Sequence, residues 1–190
     1  MNAPMKSTRR LWLSQCAGLG VLADIAAAQK YARQAAQSST PPPFEVLDAS
    51  TAAEIDALTS QIIPSADGPG AREAGVIYFI DRALATFDAG EREAYRAGMA
   101  SIQKKRAQLF PNSTNIAGLA PSQQIALMQA IEKSGFFELL RTHTLLGFLG
   151  DPSYGGNRDR VGWKHIGFDN RMAFEPPFGY YDAQAAREPR

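Results

Sequence analysis

From residue 44 onward, apolar positions recur at helical spacing in segments separated by proline, glycine and capping residues. Ile55, Leu58 and Ile62 share one face of a helix, with Thr51-Ala52-Ala53-Glu54 as a capping box in front and Pro64 as its stop. Val76, Phe79, Ile80 and Leu84 predict a second helix over residues 72–87, with Glu73 near its positive end. Asp88 and Glu91 form a similar capping pair opening a third helix through Ile102 to about residue 109, which Pro111 ends. Pro121 suits the first position of a fourth, carrying Ile125, Met128 and Ile131. After Ser134-Gly135 a fifth helix runs through Phe137, Leu140 and Thr144 to Phe148, where Gly150-Asp151-Pro152 supplies a stop and a turn.

The stretch that follows breaks the pattern. Residues 142–168, THTLLGFLGDPSYGGNRDRVGWKHIGF, gather both histidines, one of the two tryptophans and a dense set of glycines. Gly155-Gly156 permits positive φ and close backbone approach, and Asn157 and Asp159 can bond nearby amides and start a helical turn at Arg160. From Asp169 the chain is aromatic and proline-rich without helical period, through Phe174, Phe178, Tyr180 and Tyr181. The expected architecture is all-α: a mainly helical single domain with long irregular loops and an extended C-terminal tail. Four regions are expected: a signal segment at 1–28, a Pro/Ser/Ala linker at 29–43, the helical domain at 44–168 and the tail at 169–190.

Charge narrows the partners. Lys and Arg total 20 against 19 for Asp and Glu, and the one dense basic cluster is Lys104-Lys105-Arg106, which argues against nucleic acid. A single cysteine, Cys16, excludes an internal disulfide framework, and no Cys-x-x-Cys-His is present for covalent haem attachment. At the N-terminus, Thr8-Arg9-Arg10-Leu11-Trp12-Leu13 resembles a twin-arginine export signal, with Arg9, Arg10, Trp12 and Leu13 as its carrying residues. The weakly apolar run to Ala23 is too short for an ordinary membrane span, and Ala26-Ala27-Ala28 offers a cleavage site. Gly18-Leu19-Gly20-Val21-Leu22-Ala23 fits a dinucleotide fingerprint only formally, because no strand precedes it.

HTLLGFLGDPSYGGNRDRVGWKHIGF closely resembles the C-terminal signature of the gluconate 2-dehydrogenase subunit 3 family. Ile62-Ile63-Pro64, Asp67, the run PGAREAGV at 69–76 and Phe79-Ile80-Asp81 are similar to its N-terminal signature. The two blocks together cover roughly residues 52–168. The resemblance implies a non-catalytic small subunit of a membrane-associated, flavin-dependent sugar or alcohol dehydrogenase complex. It implies FAD on the large subunit and none on this chain, and often a multihaem cytochrome c as third component. It also implies a periplasmic location, reached by escorting the large subunit through the twin-arginine translocase. The residues expected to face the partner are Tyr154, Gly155, Gly156, Asn157, Trp163, His165, Phe174, Phe178, Tyr180 and Tyr181.

Two other readings stay open on the residues. His143 and His165, with Asp151, Asp159 and Asp169 nearby in sequence, would be the centre of a stand-alone periplasmic enzyme or metal-binding protein, although no compact ligand spacing accompanies them. A purely structural subunit that bridges dehydrogenase and cytochrome is the third. No serine-nucleophile elbow or phosphate-binding loop is present, and no cofactor, metal or catalytic residue is expected on this chain.

Overall fold

The computed structural model describes residues 43–171, 173, 175–176, 178–185 and 187. Arg9, Arg10, Trp12 and Leu13, the linker up to residue 42, and Phe174 lie outside these described residues. The fold is mainly helical, and no strand occurs among the described residues. In chain order the helices are α1 (Ala49–Ile62), α2 (Val76–Ala85), α3 (Arg92–Leu109), α4 (Pro121–Ile131), α5 (Gly135–Leu149), α6 (Val161–His165) and α7 (Tyr180–Ala185).

Short, apolar α2 is the axis of the molecule. Val76, Ile77, Phe79, Ile80, Ala83 and Leu84 are all buried, and α5 and α1 pack against it. Gly147 of α5 lets that helix approach Phe79, and Gly98 of α3 receives the ring of Phe136. Burying apolar surface at about 25 cal/mol per Å² makes this cluster the main source of stability.

One carboxylate inside this core is fully engaged by backbone donors. Asp81 is 1% exposed and accepts from the backbone N–H groups of Glu45 (2.8 Å), Val46 (2.9 Å) and Leu47 (2.9 Å), clamping the chain's entry segment onto α2. Phe44 stacks on Tyr78 beside this clamp, at 5.2 Å between centroids.

Several helix ends differ from the sequence expectation. Asp48, not Thr51, caps α1: its Oδ1 accepts from the Thr51 N–H at 2.9 Å, and Thr51 Oγ1 donates to its Oδ2 at 2.7 Å. Glu54 faces inward beside Ile55, accepting from Gln103 and from the Ile116 N–H, so it ties α1 to α3 and to the 110–120 loop. The second helix is shorter than the expected 72–87, because Gly75 is left-handed at φ 67° and residues 71–75 form a separate turn. Asp88 and Glu91 do not cap α3 with side-chain bonds; a 3₁₀ turn at Ala89–Glu91 precedes Arg92, and Asp88 turns to His143. Pro121 opens α4 as expected, with Gln123 Oε1 accepting from the Ala120 N–H at 3.0 Å. The tail carries helix α7 where an extended run was expected.

Candidate functional site: the glycine-rich loop on the end of α5

The last carbonyls of a helix have no partner inside it. At the end of α5 the chain turns back at Gly150 and supplies partners from its own next twenty residues. Asn157 is fully buried, and its N–H donates to Gly147 O at 2.7 Å while its Nδ2 donates to Gly150 O at 2.9 Å. Its Oδ1 accepts from the Gly162 N–H at 2.9 Å, fixing the start of α6. Trp163 Nε1 donates to Leu149 O at 2.6 Å. Asn157 and Trp163 therefore cap α5 from the side.

Glycine is required at two points of this wrap. A Cβ on Gly156 would collide with Gly147 O, and one on Gly162 with Phe148 O; both obstacles are backbone atoms that cannot move aside. The turn between them is strained. Asn157 (φ 45°), Asp159 (φ 55°) and Arg160 (φ 57°) are left-handed, at a cost of roughly 1–2 kcal/mol per ordinary residue. A 3₁₀ turn at Arg158–Arg160 with α6 behind it stands where a helical start at Arg160 was expected.

The same loop reaches the turn before α2. The Arg158 N–H donates to Ala74 O at 2.9 Å, and its guanidinium lies 5.2 Å from the centre of the Tyr78 ring, on which Phe44 also stacks. Gly155 sits against Tyr78 O, and His165 packs over Gly68, whose added Cβ would lie 2.7 Å from His165 Nδ1. Residues 64–75 and 150–168, far apart in sequence, thus form one continuous structure.

The residues expected to meet a partner fall into two groups. Gly156, Asn157 and Trp163 (7% exposed) are turned inward and hold the loop to α5. Tyr154 is half-buried, its ring 5.9 Å from that of Phe87 at 86°, and Gly155 beside it is left-handed at φ 102°. His165 is exposed, with its ring 6.3 Å from Phe148. Phe178, Tyr180 and Tyr181 stand 67%, 70% and 84% exposed, far from the burial such side chains reach in a core.

Sequence reasoning missed the outward apolar face at the α5–α6 junction. Leu145, Leu146 and Leu149 point away from the core on α5, and Ile166 and Phe168 follow α6, with Phe168 edge-on to Trp163 at 5.2 Å. The available signal was that α5 carries leucines on both sides of its helical wheel, which a solvent-facing helix does not need.

The two histidines do not share a site. His143 is 3% exposed and contacts Tyr95, Asp88 and Phe79, whereas His165 contacts Phe148 and Gly68. Among the described residues no group of three or more His, Cys, Asp or Glu side chains is gathered as a metal centre requires. No helix among the described residues is long and apolar enough to cross a membrane.

The sequence profile of the family described as gluconate 2-dehydrogenase subunit 3 matches residues 49–169, which spans α1 to the end of the glycine-rich loop. The chain belongs to this family. Membership marks it as a subunit of a gluconate 2-dehydrogenase-type complex. No curated protein and no solved structure matches the chain. The matched region of this subunit-3 chain ends one residue after Phe168, so α7 with Phe178, Tyr180 and Tyr181 lies beyond it.

Proposed function

We propose that this subunit-3 chain is a non-catalytic partner of an FAD-carrying dehydrogenase large subunit, which it binds folded and escorts through twin-arginine export to the periplasm. What supports the reading is the combination of the family match with an apolar face that the described residues leave exposed: Leu145, Leu146 and Leu149 of α5, with Ile166 and Phe168 after α6. The wrapped loop makes that face rigid, because the capping bonds of Asn157 and Trp163 fix α6 against α5 before any partner arrives. Phe178, Tyr180 and Tyr181 extend the contact as aromatic anchors, each offering a large area at low conformational cost. FAD and the redox chemistry belong to the large subunit, and this chain's work is binding. A multihaem cytochrome as third component fits the same complex. The paired Arg9 and Arg10 would supply an address that the large subunit lacks.

The test co-expresses the chain with its flavoprotein and follows periplasmic dehydrogenase activity and copurification. Arg9→Lys with Arg10→Lys is expected to abolish export of both chains. Leu146→Ser with Ile166→Ser is expected to leave folding intact and reduce copurification at least tenfold. A large subunit that reaches the periplasm fully active with either double variant would overturn the escort or the docking face respectively.

A further inference from the structure

Three side chains away from the docking face form a hydrogen-bonded chain from core to surface. Tyr95 of α3 and His143 of α5 are each 3% exposed, and the Tyr95 hydroxyl lies 2.9 Å from His143 Nδ1. Their rings stack with centroids 5.6 Å apart, while Phe79 of α2 meets the imidazole edge-on and Phe136 does the same to Tyr95. On its other side, His143 Nε2 is 3.2 Å from Asp88 Oδ2, whose side chain is 37% exposed. The titratable groups facing His143 are Asp88 and Glu91 from the turn before α3 and Tyr95 from α3; α2 contributes the apolar ring of Phe79.

One protonation arrangement pairs every group. Nε2–H donates to the Asp88 carboxylate, and the Tyr95 O–H donates to a bare Nδ1. Burial, with Asp88 and Glu91 adding to it, pushes the Tyr95 phenol far above its usual range, so it stays a donor. A second proton on His143 would sit on Nδ1 and set donor against donor inside the core. The hydroxyl would have to turn where burial leaves it no water, which disfavours the closed arrangement. Burial also holds the His143 imidazole below its ordinary value, outweighing the opposite pull of Asp88 and Glu91.

We propose that Asp88, His143 and Tyr95 form an acid-released latch that pins the 86–91 turn to α5. The turn carries Phe87, which leans on both Phe79 (6.1 Å) and Tyr154 (5.9 Å), so its release removes one hold on the 152–155 segment, which Gly155 against Tyr78 O still ties to α2. That segment borders the proposed docking face, and to this extent the latch rests on the docking reading: acid would loosen the subunit from its partner. The sign follows from linkage. His143 is harder to protonate in the closed state than when opened, so the opened state takes up the extra proton as pH falls below the ordinary histidine value. Closure weakens there, by at most about tenfold per pH unit for one proton, and is unaffected above it.

The full chain alone suffices for the test, so the outcome does not depend on any partner. Nitrogen-15 NMR of the histidines at pH 7 is expected to find His143 as the Nε2–H tautomer, with a titration midpoint below the ordinary value. Amide exchange at Asp88 and Glu91, whose N–H groups bond Ala83 O (2.8 Å) and Asp88 O (2.9 Å), should accelerate beyond its intrinsic pH dependence as that titration proceeds. The contact between the Phe87 and Tyr154 rings should fade with the same midpoint. His143→Gln should flatten the pH response. Should that variant fail to fold, the wild-type titration decides alone. An Nδ1–H tautomer, an ordinary or raised midpoint, or turn exchange that ignores the titration would overturn the latch.

Discussion

Asn157→Ala is the most informative single change, because three separate terms at one fully buried residue have the same sign. The Gly162 N–H loses its acceptor in a buried site, which costs about 1–3 kcal/mol. Gly150 O loses a donor but is partly accessible to water, so that term is at most about 1 kcal/mol. The backbone at φ 45° suits Asn, whose side chain bonds locally, and costs alanine about 1 kcal/mol more. The sum is about 2–5 kcal/mol, a large part of the roughly 5–15 kcal/mol of an ordinary domain. Urea unfolding at pH 7 followed by circular dichroism gives the global loss. Fluorescence in a Trp12→Phe background reads Trp163 alone, since the chain has two tryptophans, and reports whether the loop leaves α5 first. Asn157→Gly loses the same side-chain bonds but accepts the positive φ, so it should be the less damaging by about 1 kcal/mol. An alanine variant within about 1 kcal/mol of wild type, or a glycine variant clearly worse than alanine, would refute the capping argument.

Two further outcomes follow from the same geometry. Gly162→Ala drives a methyl group into Phe148 O, so α6 must move off α5; thermal unfolding should show a loss of at least about 3 kcal/mol and a red-shifted Trp163. Asp48→Ala removes the α1 cap and should cost about 1 kcal/mol at neutral pH. The Thr51 hydroxyl and N–H hold the Asp48 carboxyl below its usual 3.8. Its contribution is therefore present above that value and is lost as pH falls through the lower folded one, so wild type and variant should converge in acid. A stability difference that persists unchanged to pH 2 would contradict this.

Local rules located most helices. Pro121, Ser134 and Gly150 mark where α4 begins and α5 begins and ends, because each acts through its own backbone and needs no distant neighbour. The same rules misplaced the caps of α1 and α3. Asp48 lies upstream of the Thr51 motif and captures the Thr51 amide first, while Asp88 is drawn to His143, 55 residues away in the chain and invisible to any local pattern.

The sequence by itself determined the helical class, the family signatures and the need for an unusual backbone at Gly155-Gly156-Asn157, since these depend on periodicity, residue type and φ preference. Tertiary structure alone decided what each signature residue does. It turned Asn157 and Trp163 inward onto the bare carbonyls of α5, sent His143 to Tyr95 and Asp88 while leaving His165 over Gly68, and left Leu146, Leu149 and Ile166 facing out. Which face of an apolar helix is buried depends on what packs against it. Here α2 and the glycine-rich loop take one side of α5, and Leu145, Leu146 and Leu149 on the other side stay exposed among the described residues.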